Sequence, residues 1–124
     1  MIKQPVGVAP VALISGANKG LGFEIARGLV RAGHHVLIGC RDLAQGRAAA
    51  ATLCVDGGQA EALALNVADD LSISVATTVI KKRFDHLDVL VNNAGVAHDR
   101  QIGASSLRAI MRETFEVNVF GLPV

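Results

Sequence analysis

Apolar residues in this chain alternate between short uninterrupted runs and longer stretches with helical spacing. An uninterrupted run that stops at glycine or a polar residue is typical of a strand buried on both faces. Val11–Ile14 is such a run, and His35–Cys40, Ala60–Leu65 and Leu87–Val91 are further short, largely apolar segments that we interpret as strands. Apolar residues then recur every three or four positions after each run, which predicts a helix. The pattern therefore predicts four successive βα units.

Capping residues and glycines set the bounds of the predicted helices. The first helix runs from Gly20 to Ala32, before a glycine that suits a helix C-terminus. Asp42 and Gln45 have the spacing of a capping box, and the second helix continues to Leu53. A third helix begins at Asp69 or Asp70 and reaches about Phe84, and a fourth begins at Ser105 or Ser106 and carries Ile110, Phe115 and Val119.

Strands that alternate with helices in this way predict an α/β fold with a parallel sheet and helices on both faces. Right-handed crossovers and a doubly wound arrangement give the strand order 3-2-1-4. In that order the carboxyl ends of the first and fourth strands are neighbours, at the place where doubly wound sheets bind ligands. Residues 15–22 and 92–95 would line this crevice.

Composition excludes several classes of function. The chain has 124 residues, enough for one domain, and 12 basic against 11 acidic residues, without a long run of either sign. Nucleic-acid and membrane-surface binding therefore have no electrostatic basis, and no apolar stretch is long enough for a membrane span. Two cysteines, expected to be free thiols, favour a reducing, cytoplasmic location. The spacing of the four histidines predicts no metal site.

Three glycines mark the junction of the first strand and first helix. Gly16, Gly20 and Gly22 give a G-x-x-x-G-x-G spacing there. Glycine lets the backbone turn tightly and approach a ligand, and the amides of a helix N-terminus attract a pyrophosphate. The alternative is a glycine turn that serves only to pack the helix on the strand. No Gly-Lys-Ser/Thr closes the motif, so a P-loop is excluded.

Residues 15–22 read Ser-Gly-Ala-Asn-Lys-Gly-Leu-Gly, and residues 92–95, after the fourth strand, read Asn-Asn-Ala-Gly. They resemble the T-G-x-x-x-G-[IL]-G and N-N-A-G motifs of the classical short-chain dehydrogenase/reductase family, and of its carbonyl-reductase-like members in particular. The resemblance covers residues 11–121 and implies a Rossmann-type fold, of which this chain would hold the cofactor-binding half. Asn118 is similar to an asparagine that supports the family's proton relay, on the helix after N-N-A-G; a local hydrogen bond is the alternative role. The cofactor-binding residues implied are Ser15, Gly16, Asn18, Lys19, Gly20, Leu21, Gly22, Arg41, Asn66, Val67, Asn92, Asn93, Ala94 and Gly95.

The end of the second strand favours NADP(H) over NAD(H). NAD enzymes of this fold carry an acid there for the ribose 2′-hydroxyl, whereas this chain has Cys40 and then Arg41. Arg41 can bind a 2′-phosphate through two hydrogen bonds, and Lys19 adds a second positive charge. Asp42 is assigned to helix capping. The alternative is that Lys19 and Arg41 are only solvated surface charges with no role in cofactor binding. After the third strand, Asn66 stands where the family usually has an aspartate beside the adenine.

The chain contains no tyrosine, and the family's Y-x-x-x-K motif is therefore absent. We expect residues 1–124 to be inactive by themselves, although the resemblance implies an oxidoreductase acting on a carbonyl or alcohol. The alternative is a stand-alone NADP(H)-binding module or a truncated remnant. The fourth strand would have an unpaired outer edge, so we also expect homo-oligomers or aggregation through that strand and the last helix.

Overall fold

The computed structural model describes residues 8–55, 57–93 and 100–121. Within these ranges strands and helices alternate along the chain. The strands are Val11–Ser15 (β1), His35–Cys40 (β2), Gln59–Ala64 (β3), Val89–Asn92 (β4) and Asn118–Gly121 (β5). The helices are Gly20–Arg31 (α1), Leu43–Leu53 (α2), Asp70–Arg83 (α3) and Arg100–Thr114 (α4).

The described strands form one parallel sheet in the order β3-β2-β1-β4-β5. This confirms the predicted order 3-2-1-4 and adds a fifth strand. β1 lies in the middle, where Ile14 is in register with Ile38 of β2 on one side and Val91 of β4 on the other. The carboxyl ends of β1 and β4 are therefore neighbours, as the doubly wound arrangement requires.

Alternate residues of the strands enter two separate cores, one on each face of the sheet. On one face Leu13 and Leu37 pack with Ile73 of α3 and Met111 of α4. On the other face, Ile14, Val36 and Ile38 pack with small and apolar residues of α1 and α2, among them Ala26, Ala49 and Leu53. Because both faces are covered, β1 is buried at all five positions, which explains its uninterrupted apolar run.

Two predicted helix caps are confirmed. Asp42 Oδ1 accepts hydrogen bonds from the backbone amides of Ala44 (2.9 Å) and Gln45 (3.3 Å) at the start of α2. Asp69 caps α3 in the same way, through the amide of Leu71 at 3.0 Å. Each cap satisfies amides that have no partner within the helix and is worth about 0.5–2 kcal/mol. The cap also occupies the Asp42 carboxylate, next to Arg41.

The prediction for the last helix was wrong at both ends. Ser105 and Ser106 lie inside α4, which already includes residue 100, and the helix ends at Thr114. Serine is favoured at caps but does not stop a helix, and no proline stands before it. Beyond the helix, Asn118 and Val119 belong to β5, where the extended chain completes the hydrogen bonding of β4.

β4 therefore has no free outer edge, contrary to the expectation from the sequence. Val119 is in register with Leu90, and Phe120 with Val91. A buried strand edge without partners would leave amides and carbonyls unsatisfied, and β5 provides those partners. The outer edge of the described sheet on this side is now β5.

Other features of the described residues bear on the class of protein. Cys40 and Cys54 are free thiols, as predicted. No helix in the described ranges is both long and apolar enough to cross a membrane. The same residues bring together no group of three or more His, Cys, Asp or Glu side chains that could hold a metal ion.

Candidate functional site

The turn after β1 depends on glycine at two positions. Gly16 and Gly20 both have φ of 66°, a left-handed conformation that costs a residue with a Cβ energy. Gly16 also donates its amide to the carbonyl of Gly39 in β2 at 2.7 Å, which continues the sheet ladder into the turn. The turn therefore requires glycine at positions 16 and 20, as the sequence predicted.

The N-terminus of α1 faces the crevice without a side-chain cap. Lys19 occupies the N-cap position, and its side chain makes no capping hydrogen bond. The first amides of a helix have no partner within the helix, and together with the helix dipole they favour an anion. A Cβ on Gly20 would meet nothing within 4 Å among the described residues, so none of them fills the space beside this glycine. These features fit a pyrophosphate.

Ser15, at the end of β1, ties the turn to the end of β4. Its Oγ accepts a hydrogen bond from the Asn93 amide at 2.9 Å and donates to Asn92 Oδ1 at 3.4 Å. Asn93 Nδ2 in turn donates to the carbonyl of Gly16 at 3.1 Å. Ser15 and Asn92 are buried, where an unpaired polar group would cost about 1–3 kcal/mol. The two predicted walls of the crevice are thus joined directly.

Gly22 is required for this junction because α1 approaches it closely. A Cβ at Gly22 would lie 2.5 Å from Asn93 Nδ2 and 2.8 Å from the carbonyl oxygen of Gly16. Both distances are too short for carbon, so any side chain would push α1 away from the end of β4. Gly22 thus allows α1 to pack closely on the end of β4. This is the packing role that was the alternative to ligand binding for the glycine motif.

Arg41 provides a positive charge at the end of β2, and the neighbouring acid, Asp42, is engaged in capping α2. Arg41 is exposed directly after β2, and Lys19 is exposed in the turn after the neighbouring β1. Burial raises the pKa of the Cys40 thiol, and the Asp42 carboxylate raises it further, so Cys40 carries no charge at neutral pH. Asp42 is held by the amides of α2. The local charge at this corner is therefore positive.

Asn66 and Val67, after β3, are engaged within their own loop. Asn66 Oδ1 accepts a hydrogen bond from the amide of Ala68 at 3.0 Å, and the Asn66 amide donates to Ser72 Oγ at 2.9 Å. Val67 packs against the core on the face of α3 and α4. Because a carbonyl oxygen has two lone pairs, Asn66 keeps one acceptor position for a ligand. Both residues therefore shape the loop that follows β3.

One predicted site residue lies away from this crevice, and two others lie outside the described residues. Asn118 begins β5 opposite Val89, at the amino end of β4, so it lies at the end of the sheet opposite to Asn92 and Asn93. Its expected place on a helix was wrong because the segment pairs with β4 instead. Ala94 and Gly95 lie outside the described residues.

Gln45, which was expected only to help cap α2, also lies at the site. Gln45 Oε1 accepts a hydrogen bond from Asn18 Nδ2 at 2.9 Å, which joins the turn before α1 to the first turn of α2. The two residues are 27 positions apart in the chain. A capping-box position indicates a bond back to the helix start, so no local signal pointed to this contact.

The family is shown by a match over nearly the whole chain. A family model described as short chain dehydrogenase matches residues 10–123. The chain belongs to the short-chain dehydrogenase family. That family consists of oxidoreductases, and this chain has its Rossmann-type fold, as the motifs implied.

Relatives within the short-chain dehydrogenase family are longer than this chain. Carbonyl reductase (NADPH) 1 of Bos taurus is 38% identical over 112 residues, which cover 90% of this chain and 40% of that protein. The chain spans less than half the length of the first curated relatives it matches. The activity of a complete relative is therefore a proposal for this chain.

Solved short-chain dehydrogenase structures have the same fold. A metagenomic short-chain oxidoreductase in complex with NADP is 28% identical, with a TM-score of 0.72, and the match covers 86% of this chain and 54% of that one. The 3-ketoacyl-(acyl-carrier-protein) reductase of Brucella melitensis, complexed with NADH, is also 28% identical, with a TM-score of 0.68 and coverage of 84% and 47%.

Proposed function

We propose that this chain is the cofactor-binding part of an NADP(H)-dependent oxidoreductase that acts on a carbonyl/alcohol pair. The observation that carries the proposal is the presence of two exposed cations, Lys19 in the turn after β1 and Arg41 directly after β2, with Asp42 held by the amides of α2. Two relatives support the choice of NADP(H): the bovine protein is a carbonyl reductase named for NADPH, and the metagenomic oxidoreductase is in complex with NADP.

The residues present fit NADP(H) at three points. The uncapped start of α1 offers amides to the pyrophosphate, and the open space beside Gly20 admits it. Arg41 and Lys19 would hold the 2′-phosphate, and Asn66 would accept a hydrogen bond from the adenine amine. NADP(H), when bound, supplies or accepts a hydride. Asn93, fixed by Ser15 and Gly16, would line the opposite wall of the crevice.

The remaining sites named from the sequence stay within the proposal. Leu21 is 63% exposed at the start of α1 and would cover the cofactor with its apolar side chain. Ala94 and Gly95 would continue the wall after Asn93. The relay role of Asn118 rests on the family resemblance alone, because β5 places Asn118 at the other end of the sheet. A small carbonyl or alcohol is the proposed substrate class, and a cytoplasmic location is proposed from the free cysteines.

Nucleotide titration tests the cofactor choice. We expect the wild-type chain to bind NADPH more tightly than NADH, measured by fluorescence. Arg41→Ala should remove a charge-assisted contact worth about 1.5–3 kcal/mol, which is about 10- to 100-fold in the NADPH dissociation constant, with little change for NADH. Arg41→Asp should shift the preference toward NADH.

Arg31→Ala is the matched control, because Arg31 is an exposed arginine at the other end of α1. It should leave both affinities unchanged. Equal affinities of the wild-type chain for the two nucleotides would contradict the proposed cofactor. Tight binding with no turnover in a longer form that contains a tyrosine would favour the binding-module alternative.

A further inference from the structure

The hydrogen bond between Asn18 and Gln45 connects the two segments that carry the proposed phosphate-binding cations. Asn18 directly precedes Lys19 in the turn before α1. Gln45 lies in the first turn of α2, whose cap Asp42 directly follows Arg41. The bond therefore ties the chain next to one cation to the helix that begins beside the other.

This bond contributes little to folding. It joins two side chains in an exposed position, where water competes for both partners. Asn18 and Gln45 also border an open groove of about 470 Å³, together with Lys19, Phe23 and Ala48. Since open space adjoins the pair, close packing does not fix the two side chains, and the hydrogen bond itself has to hold them.

Gln45 makes this contact in place of the bond that a capping box would give it. The Asp42 carboxylate accepts from the amides of Ala44 and Gln45, which is the first half of the capping box. The Gln45 side chain extends instead to Asn18 on the neighbouring turn. A long uncharged side chain at this position can cross between the segments without adding a negative charge near the two cations.

We propose that Gln45 is a positioning residue for selectivity between NADP(H) and NAD(H), an inference that rests on the function proposed above. By holding Asn18, it fixes the distance between Lys19 and Arg41 so that one phosphate can contact both. NAD(H) has no 2′-phosphate and does not need that spacing. Loss of the bond should therefore weaken NADP(H) binding selectively.

A double-mutant cycle in the full 124-residue chain tests this role, with Asn18→Ala, Gln45→Ala and the pair together. The readout is the ratio of the dissociation constants for NADP⁺ and NAD⁺, measured by calorimetry. Each single variant should reduce the preference for NADP⁺ by about 3- to 10-fold, and the double variant no further, because both singles break one bond. Gln59→Ala, an exposed glutamine at the start of β3, is the control and should keep the wild-type ratio.

A swap variant distinguishes positioning from loss of structure. Asn18→Gln with Gln45→Asn keeps the combined length of the two side chains and should restore the preference. If Gln45→Ala does not fold by circular dichroism, Gln45→Met replaces it, because methionine keeps the length without an amide.

Three outcomes would overturn the inference. Additive effects in the cycle would mean that Asn18 and Gln45 act separately, and equal weakening of both nucleotides would indicate a general structural role. An effect of Gln45→Ala that persists in the Asn18→Ala background would indicate direct contact with the cofactor. If the wild-type chain binds neither nucleotide, or both equally, the proposed function fails together with the inference, which separates that result from the other three.

Discussion

At the scale of single residues, Glu61 of β3 forms a polar cluster on the sheet edge away from the site. Its carboxylate accepts hydrogen bonds from both terminal nitrogens of Arg83 and lies 2.7 Å from His35 Nε2. The hydrogen bond from Arg83 lowers the pKa of Glu61, burial opposes this effect, and His35 lowers the pKa further. A lowered pKa in the folded state stabilises the fold above the unfolded pKa of about 4.3.

This stabilisation is lost as the pH falls through the lower, folded pKa of Glu61. Glu61→Gln should reduce the free energy of unfolding by about 1 kcal/mol at pH 7, and the difference from wild type should shrink below about pH 4. Urea denaturation at a series of pH values measures it. Glu24→Gln, in an exposed pair with Arg27, should have a smaller effect. A Glu61→Gln effect that is the same at pH 7 and pH 3 would contradict the assignment.

At the scale of elements, α2 is packed tightly against the end of β2 through Gly46. A Cβ at Gly46 would collide with Cys40 Sγ and would lie 3.0 Å from Ala62 Cβ of β3. Gly28 of α1 is the opposite case, since a Cβ there would meet nothing within 4 Å in the part of the chain that the structure describes. Gly28 and Gly46 are therefore both helical, but only Gly46 is closely surrounded by neighbouring side chains.

Alanine substitution at these two positions should have opposite effects on stability. Gly28→Ala should raise the free energy of unfolding by about 0.5–1 kcal/mol, because glycine is a poor helix former. The Gly46→Ala variant should have a free energy of unfolding about 1–3 kcal/mol lower than that of the Gly28→Ala variant, because overpacking displaces α2. Chemical denaturation midpoints measure both. Equal stabilisation by the two variants would show that α2 does not pack closely on Cys40.

At the scale of the whole molecule, β5 is the exposed edge of the described sheet. Its sequence is Asn-Val-Phe-Gly without a charge, and Phe120 is 54% exposed. The other edge, β3, carries Glu61, and charged side chains discourage strand pairing. We therefore place the predicted association at β5 rather than β4.

Light scattering coupled to size-exclusion chromatography tests this association. The chain should show dimers or larger species that increase with concentration, and Phe120→Lys should reduce them by placing a charge on the edge. Leu71→Lys, at an exposed leucine of α3, is the control and should not change the distribution. A monodisperse monomer at all concentrations would refute the prediction.

Turnover is also a property of the whole molecule, and we predict none for residues 1–124. Reduction of a carbonyl needs a proton at its oxygen, and a positioned proton donor typically contributes about 10²- to 10⁴-fold in rate. The family's tyrosine is absent from these residues. NADPH oxidation with a panel of carbonyl compounds measures this, with a complete short-chain reductase as the control. NADPH consumption that depends on both the chain and the carbonyl would contradict the prediction.

The sequence by itself determined the central strands, their order and the turn after β1. A strand buried on both faces needs an uninterrupted apolar run, so β1 and β2 were visible as such. Gly16 and Gly20 adopt backbone conformations that glycine favours, and Asp42 and Asp69 cap helices through bonds to the next few residues. The strand order follows from right-handed crossovers and the doubly wound arrangement, whereas the other features depend on residues close together in the chain.

Only the tertiary structure decided the features that depend on distant partners. The segment from Phe115 to Val119 carries apolar residues at every second position, which fits a strand, but Ile110 and Phe115 also suggested a continuing helix. Pairing with β4 decided between them, because backbone groups at the β4 edge need partners that the local pattern does not reveal. The contact between Asn18 and Gln45 likewise arises because packing on the sheet brings the starts of α1 and α2 together.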